Sequence, residues 1–417
     1  MIEINSHQLE NGLRIVHNRE ATTKMAAVNL LYCVGAKDED PKHTGFAHLM
    51  EHLMFSGTPS APYFDTVVQM AKGENNAWTN NDITNYYEVL PVENIETALI
   101  LEADRMVNLS LTDESVENQR SVVAEEFKQR CLNVPYGDMT HLWRALAYKV
   151  HPYRWPTIGL DVQTIENAEK SDILSLYKKF YCPSNAILSV VGDIDSDEVL
   201  RLAEKSFGDI EKRHISKPAC HEQEPEQKEK RELLVARNVP HRMIFKAYHM
   251  PDRLSKGYIE SDLISDILSN GRSSRFFKKF ISQGYLFSNI DASITGEVEP
   301  GVLRIQATLL PGVGFEEANN AICEEINRMI DTVTDYEVEK YANKFESNRL
   351  FSNINIDERA ANIAYYEMLG NADMINSEID NYRIIGKQDI KSFASSLFNE
   401  ANSSTIFYDI KSKGVQA

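Results

Sequence analysis

Cysteine is scarce in this chain: five residues in 417, at positions 33, 131, 182, 220 and 323. An odd, scattered set offers no disulfide framework and no cysteine-based metal site, and it suits a reducing compartment. No run of about 20 apolar residues is present, so no membrane-spanning helix and no membrane partner are expected. The first residues, Met1-Ile2-Glu3-Ile4-Asn5, lack the basic and apolar regions of a signal peptide, and a cytoplasmic location is expected. Positive charge is also in short supply. Lys and Arg number 44 against 62 Asp and Glu, a formal net charge of -18. That argues against nucleic acid as a partner, because phosphate binding wants a basic surface. It is compatible with basic peptides, although a solvated acidic surface accounts for it as well.

What is present is enough for a sizeable core. A chain of 417 residues exceeds one ordinary core and suggests two domains of roughly 200 residues. Hydrophobic residues at 42% and charged residues at 25% describe a soluble globular protein. The most informative stretch runs from Gly45 to Phe55 and contains His48, Glu51 and His52. On a helix these three share one face. Two imidazoles on one face begin a zinc site, and a carboxylate beside the metal can take a proton from water. The order is H-x-x-E-H, the inverted zincin pattern. The bland alternative is a helix whose Leu49, Met50, Leu53, Met54 and Phe55 simply face a core.

Around that helix the chain reads as follows. Residues 8 to 18 form a strand, an Asn11-Gly12 turn and a second strand. Ala26 to Val34 is an apolar strand, and a charged loop from Lys37 to Lys42 leads into the motif. Gly57-Thr58-Pro59 lies where a helix stop is expected. A short helix spans Tyr63 to Ala71. Residues 73 to 89, with Asn76-Ala77-Trp78-Thr79 at their centre, read as two short strands with a polar connection. An exposed strand there can bind a substrate backbone by strand addition; an ordinary surface hairpin is the alternative. Asn94 to Met106 is helical. Asp113-Glu114-Ser115 starts a further helix, Val116 to Arg130, carrying Glu117, Glu125 and Glu126. One of its carboxylates can complete a two-His, one-carboxylate site with a position left for water. A solvated helix surface is the other reading of Glu125 and Glu126.

These residues together resemble the pitrilysin, insulinase and mitochondrial processing peptidase family, over nearly the whole chain. The carriers are Leu9-Glu10-Asn11-Gly12-Leu13, Gly45-Phe46-Ala47-His48 through Gly57-Thr58, Asn76-Ala77-Trp78-Thr79, and Arg120 through Glu126. Further along come His151-Pro152-Tyr153, Ile158-Gly159, Tyr181-Cys182-Pro183-Ser184-Asn185 and Val190-Val191-Gly192-Asp193. The resemblance implies an α+β fold. It comprises two homologous domains of the mitochondrial-processing-peptidase type, each an antiparallel sheet covered by helices on one side, around a substrate cavity. The boundaries expected are 1–213 for a zinc-binding catalytic domain, 214–232 for a linker and 233–417 for a homologous domain without zinc.

The same resemblance implies a zinc endopeptidase. It implies Zn²⁺ on His48, His52 and Glu126, with Glu125 as the register alternative, and Glu51 as the proton acceptor. Asn76, Ala77, Trp78 and Thr79 correspond to the substrate-binding edge strand. Gln119 stands where the family often has a second Glu, and an amide there can hydrogen-bond but brings no charge. The family's second half often supplies an Arg and a Tyr to the substrate carbonyl. Here those positions are Ile281 and Ser288, with Arg272, Arg275 and Tyr285 nearby. A homodimer, or a heterodimer with a homologous subunit that supplies the Arg and Tyr, is therefore expected. The alternative is a non-catalytic or weakly active subunit of a hetero-oligomeric processing peptidase.

Overall fold

The computed structural model describes residues 1–213, 215 and 221–411. Eleven strands among the described residues form two sheets. They are β1 (Asn5–Gln8), β2 (Arg14–Arg19), β3 (Met25–Tyr32), β4 (Glu74–Thr79), β5 (Thr84–Pro91), β6 (Ala186–Gly192), β7 (Arg231–Arg237), β8 (Met243–His249), β9 (Phe287–Ile294), β10 (Val302–Leu309) and β11 (Ser403–Ile410). The first sheet has the order β1-β2-β6-β3-β5-β4 and the second β7-β11-β8-β10-β9.

The fold is α+β, as expected, but the sheets are mixed rather than antiparallel. β6 runs parallel to β2 and antiparallel to β3, and β11 runs parallel to β7 and antiparallel to β8. The reason is topological. β2 and β3 run in opposite directions with one slot between them, so a strand filling that slot must be parallel to one neighbour. β7 and β8 frame β11 in the same way.

Helices also cover both faces of each sheet, not one. Along β3, Ala26, Val28, Leu30 and Tyr32 join a core shared with helices Phe46–Leu53, Ile95–Asn108 and Asp113–Phe127. The alternate residues Ala27 and Leu31 pack with Ala360, Ile363 and Ala364 of helix Ile356–Met368. In the second sheet, Ile244 and Tyr248 face one core, while Met243, Phe245 and Ala247 pack with Met139, Trp143 and Ala147 of helix Met139–Ala147. The period-two alternation of each strand thus serves two apolar layers at once.

Those covering helices come from the far half of the sequence. The first compact unit comprises residues 1–129, 155–221 and 348–378, and the second comprises 130–154, 222–347 and 379–417. The contiguous division at 213 and 233 does not describe this exchange, which composition cannot reveal. Of the expected linker, residues 214 and 216–220 lie outside the described residues. Further on, Glu224 accepts the backbone N–H groups of Lys149, Val150 and His151 at 2.8–3.1 Å, so this part of the segment is anchored within the second unit. Among the described residues no helix is long and apolar enough to cross a membrane.

Candidate metal centre

The motif lies on one short helix, Phe46–Leu53, that follows the central strand β3. Its start is sterically determined. Gly45 has φ +91°, and a Cβ there would lie 2.6 Å from Ile165 Cδ1 and 2.9 Å from the Ile158 carbonyl oxygen. Gly159, at φ +96°, packs back against it, its own Cβ direction meeting Gly45 Cα at 3.2 Å. The Gly-Phe-Ala-His and Ile-Gly stretches, distant in sequence, therefore touch, and both need the freedom of glycine.

The same helix end holds a buried carboxylate. Glu39 accepts the N–H of Gly45 at 3.0 Å and of Ala47 at 2.7 Å, meeting donors that have no partner inside the helix. Burial pushes this carboxyl up to about 8, against the two N–H bonds, which pull it down. The charged loop around Glu39 is itself fixed. Gly35 donates its N–H to Asp38, Lys37 pairs with Asp82 at 2.9 Å, and Trp155 Nε1 donates to the Ala36 carbonyl at 2.8 Å.

Helix Asp113–Phe127 brings the third donor. It starts at Asp113, three residues earlier than the Val116 expected, because the N-cap Thr112 and Ser115 cap each other reciprocally at 3.0 Å. It ends in a π-helical turn, Lys128–Leu132. Glu126 Oε2 sits 3.6 Å from His48 Nε2 and 3.5 Å from His52 Nε2. The imidazole rings cross at 88° with centroids 4.9 Å apart. Ligand atoms of these three side chains lie within 4.8 Å of one another, the single such group of three among the described residues. Two ligands about 2.05 Å from a tetrahedral ion lie about 3.3–3.4 Å apart, so these spacings fit one small divalent ion with little adjustment. Glu125 is exposed and accepts from Gln129 instead. Gln119 is half-buried two turns before Glu126, on the same helical face.

Glu51 accepts a hydrogen bond from Thr79 Oγ1 at 2.5 Å. Thr79 ends β4, which pairs with β5 alone and forms the edge of the first sheet. Along β4, Asn75, Ala77 and Thr79 are half-buried while Glu74, Asn76 and Trp78 are exposed. The four residues expected to meet substrate are thus split between two faces, with Thr79 turned toward the motif helix. The Ala77 N–H is bonded to the Asn76 side-chain oxygen at 2.8 Å.

Arg105 lies fully buried behind this layer. It pairs with Glu102 and, at 3.5 Å, with Glu88, and its guanidinium covers the Phe64 and Tyr86 rings at 4.5 Å and the Phe55 ring at 5.3 Å. Phe55 lies just past the motif helix, so this cluster fixes the floor under it. Sequence reading missed Glu39 and Arg105. Each is one charge among many in a linear pattern, and no local spacing separates a buried carboxylate or guanidinium from a solvated one.

In the second unit, Ile281 packs on the apolar core and Ser288 Oγ donates to the Thr308 carbonyl at 3.3 Å. Arg275 is 8% exposed and committed to Glu337 at 2.8 Å and to Thr332. Arg272 and Tyr285 are exposed.

Two family models match the chain: "Insulinase (Peptidase family M16)" over residues 14–136 and "Peptidase M16 inactive domain" over residues 167–345. A zinc protease, PqqE, of Helicobacter pylori is 33% identical over 287 residues, covering 67% of this chain and 64% of that relative. An uncharacterized zinc protease, YmxG, of Bacillus subtilis is 22% identical over 413 residues, covering 95% of this chain and 96% of that one. A solved protease from Helicobacter pylori superposes with a TM-score of 0.92 at 27% identity, covering 98% of this chain and 100% of that one. Pitrilysin shares the fold, with a TM-score of 0.73 at 16% identity over 98% of this chain and 45% of that one.

Proposed function

The chain belongs to the insulinase family, peptidase family M16, and on that premise we propose that it is a zinc-dependent endopeptidase of extended peptides or unfolded protein segments. The observation that carries this reading is the convergence of His48, His52 and Glu126 beside Glu51. His48, His52 and Glu126 would hold zinc, which would supply Lewis acidity toward a water and the scissile carbonyl. Glu51 accepts the proton of the attacking water and later delivers it to the leaving amine. The free edge of β4 receives the substrate backbone by strand addition, with Asn76, Ala77, Trp78 and Thr79 as its neighbours. Because the Ala77 N–H is already bonded to Asn76 Oδ1, an incoming carbonyl has to displace that side chain. Gln119, half-buried on the Glu126 face, is able to hydrogen-bond there but brings no charge.

Ile281 and Ser288 give no cationic or phenolic donor to the reacting carbonyl. A missing donor of that kind typically costs about 100- to 1000-fold in rate. A homologous subunit that carries the pair supplies it in this reading, or, in a homodimer, Arg272, Arg275 or Tyr285 of the second copy, and adding such a partner raises the rate. The purified chain is expected to hold about one zinc, lost in His48→Ala and in His52→Ala, because two remaining ligands bind poorly. Metal analysis decides this: full zinc occupancy after both substitutions ends the assignment.

A further inference from the structure

We infer that Thr79 is a positioning residue for Glu51, so that the strand proposed to seat the substrate also fixes the group proposed to move the proton. The inference rests on the Glu51 assignment above and goes beyond it. Thr79 Oγ1 donates to Glu51 Oε2 at 2.5 Å. A hydroxyl that donates to one carboxylate oxygen selects one orientation of the carboxylate. Alternation along β4 sends the Thr79 side chain to the motif-helix face, so this contact follows from strand geometry.

The donor is itself held from behind. The turn that follows Thr79 is tied to the segment preceding the motif helix: Ala36 N–H donates to the Asn80 carbonyl at 3.0 Å and Lys37 N–H to the Asn81 carbonyl at 2.9 Å. Lys37 Nζ pairs with Asp82 at 2.9 Å. Asn80 Oδ1 accepts the N–H groups of Asp82 and Ile83 at 2.7 and 2.8 Å. Gly35 permits this closeness, since a Cβ there would lie 2.5 Å from the Asn81 carbonyl carbon. Thr79 therefore stands on a rigid support that enters and leaves the motif region, which is what a positioning group requires.

The test compares Thr79→Val, which keeps the β-branched shape and removes the hydroxyl, with Thr79→Ser, which keeps the hydroxyl. Both are loaded with zinc and assayed on an unstructured peptide, and both are crystallised beside the wild type. Thr79→Val is expected to lower kcat about 10- to 100-fold, with KM within about twofold and zinc content unchanged, since a misplacement near 1 Å costs on that order. Thr79→Ser is expected to recover to within about threefold of wild type, and the Glu51 carboxylate is expected to leave its wild-type position only in Thr79→Val. An unchanged kcat in Thr79→Val, a rise in KM alone, or a Glu51 carboxylate unmoved in Thr79→Val overturns the inference. Should the wild type with full zinc cleave no peptide, alone or with a homologous partner subunit added, the peptidase reading fails, and the Glu51 position in Thr79→Val still decides the role of Thr79.

Discussion

The two sheets share one wiring and differ in what it carries. From β2 onward the first sheet reads opening strand, closing strand, second, fourth and third; β7-β11-β8-β10-β9 repeats that order. In each, a helix follows the second strand: Phe46–Leu53 after β3 and Lys256–Ser269 after β8. The first presents His48, Glu51 and His52; the second presents Tyr258, Glu260, Ser261 and Ile264, all buried. Residues 222–345 of the second unit also fall under the family model described as inactive, which begins at residue 167 in the first unit. Among the described residues, a fold repeated in one chain thus hosts a candidate centre once, and the difference rests on a few side chains and on how their helix begins.

The most drastic way to erase that difference is Glu51→Gln. An amide cannot accept the proton, so turnover should fall by about 100- to 10,000-fold while zinc stays bound. Glu260→Gln, on the corresponding helix of the second unit, should leave turnover within about twofold. Kinetics and metal analysis on the two variants check this. Equal losses would mean that both helices contribute to the chemistry.

A smaller effect separates the two units by steric demand. Gly45→Ala combines a left-handed φ with contacts of 2.6 and 2.9 Å to Ile165 and Ile158, and should cost about 3 kcal/mol with loss of zinc affinity. Gly271 in the second unit also has a positive φ, +85°, but a Cβ there meets only the tip of Lys344, at 3.4 Å. Gly271→Ala should therefore cost about 1 kcal/mol, the backbone term alone. Unfolding followed separately in each unit measures both.

These contrasts mark what the sequence could express. The spacing of His48, Glu51 and His52, the polar hairpin of β4 and β5, and the Asp113–Phe127 helix are local patterns, and local patterns survive in one dimension. Choosing Glu126 over Glu125 needed a resemblance first and then the 3.5 and 3.6 Å distances to the two histidines. The parallel pairs β2–β6 and β7–β11 were not legible, because each joins strands some 170 residues apart. Nor was the exchange that sends residues 348–378 to the first unit and 130–154 to the second, since a helix that covers a distant sheet reads like any amphipathic helix. Glu39 is the plainest case. Its burial is 6% exposure in three dimensions and invisible among the charges of Lys37 to Lys42.

That carboxyl gives the subtlest way to tell the two helices apart. The Lys256–Ser269 helix is capped by the Ser255 hydroxyl, which accepts from Tyr258 N–H at 3.2 Å and does not titrate. The Phe46–Leu53 helix is capped by Glu39, whose carboxyl burial raises from 4.5 to about 8. With the folded value above the unfolded one, the neutral carboxyl is the form the fold favours. Its contribution to stability is full below about pH 4.5 and is lost as pH rises toward 8. The loss is at most about 1.4 kcal/mol per pH unit, so about 2 kcal/mol between pH 5.5 and 7.5 is the scale expected. Hydrogen exchange of residues 45–53, corrected for the intrinsic rate, is the right measurement, since two units need not unfold together. Protection there should weaken with rising pH in the wild type, and that slope should vanish in Glu39→Gln. Ser255→Ala should shift protection of residues 256–269 by about 1 kcal/mol at every pH, with no slope of its own. A wild-type slope that survives in Glu39→Gln would assign the pH dependence to another group and leave Glu39 as a cap that stays ionised throughout.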